Sequence, residues 1–201
     1  MKLIGSPTSP FVRKVRIVLA DKHIDYDFVI DLPAEPNTKV PEFNPLGKIP
    51  VLIDDGGNRI FDSSVIVEYL DSFAPANQFI PESPLLRIQV RRWEALADGI
   101  LDATVLIVQE GRRPQELQSA AWIDRQRGKI ARGLDVAERE LGDRRWCAGD
   151  DYSLADIALG CTLGFLDFRF QDLEWRSSHP NLARHARELF SRKAFEATVP
   201  A

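Results

Sequence analysis

The chain has 201 residues, of which 44% are hydrophobic and 28% charged, with a formal net charge of −4. That balance describes a globular protein large enough for one sizeable or two modest domains, and its slight acidity removes the electrostatic case for non-specific nucleic-acid binding. Two cysteines exclude a disulfide framework, and three histidines with no close His/Cys cluster argue against a metal. No stretch resembles the apolar core of a signal peptide or approaches the ~20 residues that span a bilayer, so a soluble, cytoplasmic protein is expected.

Lys2-Leu3-Ile4 reads as a short strand, followed from Gly5 to Pro10 by a loop dense in turn residues. Phe11, Val12, Val15, Val18 and Leu19 then recur at helical spacing, with Arg13, Lys14 and Arg16 mostly toward water. Ser9-Pro10 suits the start of that helix, Ser9 as N-cap and Pro10 in the first helical position. Tyr26, Phe28 and Ile30 alternate along a second strand, which completes a βαβ unit with parallel strands. Residues 31–43 carry Pro33, Pro36 and Pro41 and read as a loop or broken short helix. Val51-Leu52-Ile53 and Arg59-Ile60-Phe61 flank Asp54-Asp55-Gly56-Gly57-Asn58, a hairpin signal. Val65, Ile66, Tyr69, Leu70 and Phe73 then share a helical face until Pro75 stops it. Residues 1–75 therefore predict an α/β domain, a four-stranded mixed sheet with helices packed on it.

The proline-rich stretch from Ala74 to Pro84 contains a linker, placed at residues 76–84. Residues 85–201 carry four apolar stripes of helical period, running from Leu86 to Val108, Ile123 to Leu141, Leu154 to Phe165 and Leu182 to Leu189. Short connections between them predict an antiparallel all-α bundle.

Three features of the first domain belong together: Ser9-Pro10 at one helix head, Ile49-Pro50 before the third strand, and Asp62-Ser63 at the next helix head. In open α/β sheets, ligands collect outside the carboxyl ends of the parallel strands. Pro50 either starts its strand in trans or takes the cis form, at about 0.5–1 kcal/mol. A cis bond turns the amide and carbonyl of Ile49 outward, where an extended peptide can pair with them as an added strand.

Asn44-Pro-Leu-Gly-Lys-Ile-Pro-Val-Leu52, with Asp62-Ser63 before a helix and Ser153-Leu-Ala-Asp-Ile-Ala158 further on, resembles the cytosolic glutathione transferase family over essentially the whole chain. Ser9-Pro10-Phe11 with Arg13-Lys14 is most similar to bacterial members with serine in the active position. The resemblance implies a thioredoxin-like N-terminal domain, an all-helical C-terminal domain, and glutathione as co-substrate with no metal. It also implies roles. Ser63 holds the γ-glutamyl carboxylate and Asp62 faces the γ-glutamyl ammonium, against the alternative that Asp62 is a simple N-cap. Ile49, placed by Pro50, pairs with the cysteinyl main chain, and Lys48 reaches a carboxylate. Ser9 donates its hydroxyl hydrogen bond to the thiolate, with Thr8 and Ser6 as substitutes, or else merely caps its helix. Asp98 is a candidate for a contact across a dimer. Phe11, Leu106 and Phe165 are candidate lining for an apolar electrophile cleft between the domains. Where relatives often carry a cation or Gln for the glycyl carboxylate, the loop after the second strand offers one cation, Lys39.

Serine in the active position cannot form the mixed disulfides of family members with Cys-Pro-Phe. Conjugation to a small apolar electrophile, in a detoxifying role, is therefore expected before disulfide exchange, with a glutathione-dependent isomerase or dehalogenase as narrower forms. The alternative from another class is a non-catalytic adaptor on the same scaffold, like the stringent-starvation proteins that bind RNA polymerase, since fold alone does not set function. A homodimer is implied by the resemblance. Ser153 with Asp156 has the spacing of a capping box. Cys147 and Cys161 read as packed core, and His23, His179 and His185 show no partner spacing.

Overall fold

Alternation and short apolar runs in the first eighty residues yield the expected mixed sheet. In the computed structural model, which describes residues 1–73 and 78–200, β1 (Lys2–Gly5), β2 (Asp27–Ile30), β3 (Val51–Ile53) and β4 (Arg59–Ile60) lie in the order β2-β1-β3-β4. β1 and β2 are parallel, Leu3 opposite Phe28; β3 runs antiparallel to both β1 and β4, with Ile4 opposite Val51 and Leu52 opposite Ile60. The helices are α1 (Pro10–Asp21), the single turn α2 (Val40–Phe43) and α3 (Ser63–Asp71). Leu3, Val12, Val15, Val51, Leu52, Ile66 and Leu70 are fully buried between sheet and helices. The expected helix stop at Pro75 and the start of the expected linker lie outside the described residues.

The chain divides into two units, Met1–Ile80 with Ser191–Ala201 and Pro81–Phe190. The last residues, which periodicity assigned to the helical domain, thus belong with the sheet. The short α9 (Lys193–Glu196) packs on α1, where the Arg13 guanidinium donates to the Phe195 carbonyl at 3.1 Å and lies 5.4 Å from the Phe195 ring. Arg13 is accordingly buried, at 4% exposure, and Lys14 is buried too, at 0%, so neither is solvated. Nothing local could reveal this, because the cover for α1 lies more than 180 residues away in sequence. Lys22 and Asp71 form a second buried pair at 2.9 Å, and Asp71 also accepts from the amides of Phe79 and Ile80 at 2.9 Å each.

The second unit is helical: α4 (Pro84–Glu110), α5 (Ala120–Leu141), α6 (Leu154–Arg169), the turn α7 (Trp175–Ser178) and α8 (Pro180–Phe190). α6 is buried on every face from Leu154 to Leu166, as a helix apolar all round must be. α4 packs against both α5 and α6. Its approach to α5 depends on Gly133, where a Cβ would stand 2.5 Å from the Ile100 side chain. No helix among the described residues is long and apolar enough to cross a membrane.

Candidate functional site

Register decides which chain ends share an edge. β1 ends where the antiparallel β3 begins, and β4, antiparallel to β3, ends on that same side. The loop leaving β1 toward Ser9, the Ile49-Pro50 pair entering β3, and the Phe61-Asp62-Ser63 segment leaving β4 are therefore delivered to one edge of the sheet. Both α1 and α3 begin there, so two helix N-termini, each with orphan amides and a partial positive charge, face the same border.

Ser9 is the N-cap of α1, its hydroxyl oxygen accepting from the Val12 amide at 3.3 Å, with Pro10 behind it in the first turn. Among the described residues its own hydroxyl proton is given to none. The two substitute donors are occupied with each other: the Ser6 and Thr8 hydroxyls lie 2.9 Å apart, and Ser6 is buried. Gly5 sets the height of this loop. A Cβ there would meet Val12 Cγ2 at 2.6 Å, so only glycine lets the end of β1 lie against α1.

The Ile49-Pro50 bond is cis, and the sheet register starts one residue later, leaving Ile49 outside the ladder while its side chain packs on the Ile4, Val40, Val51 cluster. Asn44 builds the preceding turn. It is buried, its side-chain amide donates to the Lys48 carbonyl at 2.9 Å, and its Oδ1 accepts from the Leu46 amide at 3.0 Å. Along the sequence Asn44 stands out only as part of a motif; in the fold it is the side chain that holds the turn through Lys48 in place. Lys48 itself is exposed.

Asp62 caps α3, Oδ1 accepting from the Ser64 amide at 3.0 Å, while Oδ2 has no partner among the described residues; the Phe61-Asp62 bond is also cis. The cap and ligand readings of Asp62 are thus compatible, one oxygen for each. Ser63, first residue of the helix, is buried. Of the other candidates, Phe11 is half-buried on α1, Asp98 and Leu106 are half-buried on α4, and Phe165 is core on α6, with the Arg169 guanidinium 5.7 Å from its ring.

The helical unit holds a cluster that spacing along the chain does not reveal. Cys147, Asp156 and His185, unremarkable in spacing, are brought together and fully buried. Asp156 Oδ1 accepts from the Cys147 amide at 2.8 Å and lies 3.2 Å from His185 Nε2, while Oδ2 accepts from the Ser153 amide and hydroxyl at 2.9 and 3.1 Å. Burial, with the Asp156 carboxylate second, pushes the Cys147 thiol well above its ordinary value. A thiol held protonated is neither nucleophile nor ready ligand; the cluster serves the capping box at the head of α6.

Comparison with known proteins agrees with this geometry. The family description "Glutathione S-transferase, N-terminal domain" matches residues 3–78, and "Glutathione S-transferase, C-terminal domain" matches residues 120–188. An uncharacterised GST-like protein of Escherichia coli K12, YibF, is 44% identical over 200 residues, covering 100% of this chain and 98% of that protein. A glutathione S-transferase structure from Methylobacillus flagellatus with glutathione bound has a TM-score of 0.96 at 50% identity, covering 100% of this chain and 99% of that one. A glutathione transferase family member from Pseudomonas fluorescens Pf-5 with bound S-(propanoic acid)-glutathione has a TM-score of 0.89 at 38% identity, covering 100% and 99%. With its sheet edge, its helix heads and these relatives taken together, the chain belongs to the glutathione S-transferase family.

Proposed function

We propose that the protein activates the thiol of glutathione for attack on a small electrophile, the tripeptide lying along the edge that carries Ser9, Ile49 and Asp62-Ser63. The observation that supports this best is the shared edge itself, where two helix N-termini and a main-chain segment outside the ladder are delivered together. Glutathione is also the ligand held by the relative from Methylobacillus, and S-(propanoic acid)-glutathione the one held by the relative from Pseudomonas. The head of α3, through the Ser63 amide, takes the γ-glutamyl carboxylate, a contact favoured by about 0.3–1 kcal/mol from the helix end alone. Asp62 Oδ2 faces the ammonium, Ile49 pairs with the cysteinyl main chain, and the exposed Lys48 is within the reach of a solvated glycyl end.

The chemistry rests on Ser9. A thiol of pKa near ~8.5 is only a few per cent ionised at neutral pH, and lowering that value by about two units takes roughly 2.7 kcal/mol of selective anion stabilisation. A charge-assisted hydrogen bond contributes about 1.5–3 kcal/mol, so one hydroxyl with the α1 dipole suffices. The Ser9 oxygen already accepts from Val12, which orients the hydroxyl and leaves its proton for the sulfur. The thiolate then forms a C–S bond as the leaving group departs with its electron pair, or as a double bond takes up a proton. The S-(propanoic acid)-glutathione held by the Pseudomonas relative is a thioether of the type that either route forms.

The test is an ultraviolet titration of bound glutathione. Thiolate absorbance appears at lower pH than in buffer for the native protein, and Ser9→Ala moves it back by about one to two pH units, with a 10–100-fold fall in kcat/KM toward an aryl halide. An unmoved curve sinks the role given to Ser9. The adaptor alternative finds no support among these relatives and predicts no retention on glutathione resin; isomerase and dehalogenase forms are separated by product analysis in the same assay. We further propose a cytoplasmic homodimer. Leu85 and Ile88, at 81% and 67% exposure on one face of α4, are the apolar side chains such pairing would cover, and light scattering gives its mass.

A further inference from the structure

The helical unit contains a cavity of about 570 Å³ that the glutathione reading does not use. This is the size of a small-molecule site. Its floor is apolar and firmly packed: Ile107, Ile130 and Leu134 are each no more than 7% exposed. One wall is fixed by His179, whose Nδ1 lies 2.9 Å from the Trp175 carbonyl oxygen and whose Nε2 lies 3.1 Å from Asp135 Oδ1. The mouth carries the carboxylates Asp135, Asp172 and Glu174 against a single guanidinium, Arg127. Asp172 and Glu174 are exposed, and among the described residues neither carboxylate has a hydrogen-bond or ion-pair partner.

We propose that this cavity binds a small hydrophobic amine, its aromatic or alkyl body against Ile107, Ile130 and Leu134 and its ammonium at the Asp172 and Glu174 carboxylates. The floor supplies affinity without direction, because apolar burial is roughly proportional to area and not to orientation. The rim supplies the choice of charge. An anionic body of the same shape meets two unneutralised carboxylates, and a neutral one gains nothing from them. The site lies wholly within the second unit and goes beyond the proposed conjugation reaction, which it neither requires nor supplies.

Calorimetric titration of the full-length protein, saturated with glutathione, with 1-naphthylmethylamine, 1-naphthalenemethanol and 1-naphthoate separates the possibilities. The amine is expected to bind at least about fivefold tighter than the alcohol at low salt, with the naphthoate weakest, since partly exposed charge pairs contribute roughly a kcal/mol or less each. The double variant D172N/E174Q removes the amine's advantage and leaves conjugation unchanged. Ala131→Trp, on the exposed wall of α5, fills the cavity and abolishes binding. Circular dichroism confirms that both variants fold, as substitutions at exposed positions should. Equal affinity for the three probes, no binding at millimolar concentration, or amine binding that survives Ala131→Trp would each overturn the proposal.

Discussion

The heads of helices are finished differently in the two units. In the helical unit, carboxylates reach the heads of α5, α6 and α8. Glu110 at the end of α4 accepts from the amide of Ser119, the N-cap of α5, at 2.8 Å. Glu138 of α5 accepts from the amides of Asn181 and Leu182 in the first turn of α8 at 3.0 and 2.9 Å, and Asp156 closes the head of α6. In the sheet unit, α1 and α3 begin with one short cap each, Ser9 and Asp62, at one shared edge of the sheet. On the proposed reading, the backbone dipole is satisfied internally at those three heads and left partly available to an anion at α1 and α3. At α3 the cap is also a carboxylate, but Asp62 uses only Oδ1, toward the Ser64 amide, so the proposed ligand contact there rests on Oδ2 and the remaining amides of the first turn.

The sharpest way to break this contrast is Asp156→Ala. Removing a fully buried acceptor leaves the amides of Cys147 and Ser153 and the His185 imidazole without it, and should cost about 3–5 kcal/mol in urea unfolding. Glutathione retention below the transition should stay normal. A change below 1 kcal/mol would show that the buried node matters little.

The two glycines that admit close approach come next. Gly5→Ala and Gly133→Ala both force a Cβ into a side chain, at 2.6 and 2.5 Å, and each should cost about 1–3 kcal/mol. Gly5→Ala should also lower conjugation in the folded protein by displacing the head of α1, whereas Gly133→Ala should leave activity per folded molecule intact. Equal kinetic effects would erase the distinction between the two units.

Asp62→Asn separates capping from recognition. Asparagine caps about as well as aspartate, so melting temperature should hold while KM for glutathione rises about five- to tenfold, as loss of a partly exposed charged contact implies. A lost fold with unchanged KM would assign Asp62 to structure alone.

The smallest effect concerns acid. The Ser119 amide, with Arg113 beside it, holds the Glu110 carboxyl below its ordinary value. A depressed folded value contributes stability that is complete above the unfolded value and is lost as pH falls through the folded one. Glu110→Gln should therefore lower stability slightly at neutral pH, with the difference from the native protein closing as pH falls, as thermal melts from pH 7 to 3 will register.

Much of this was legible along the chain. Periods of two and of 3.6 fixed strands and helices, because each residue's side is set by its immediate neighbours. Pro50, Asp62 and Ser9 announced themselves as residues that end ladders or begin helices. What stayed hidden depends on residues distant in sequence. Arg13 and Lys14 carry the chemistry of a wet face yet both are buried, Arg13 because the C-terminal segment returns over α1. His185 meets Asp156 and Cys147 across 29 and 38 residues, a distance at which spacing carries no signal. Local sequence determined which elements form and which residues stand at their ends; only tertiary packing decided which ends share an edge and which charges lose water, since burial and register are properties of neighbours that the chain supplies from far away.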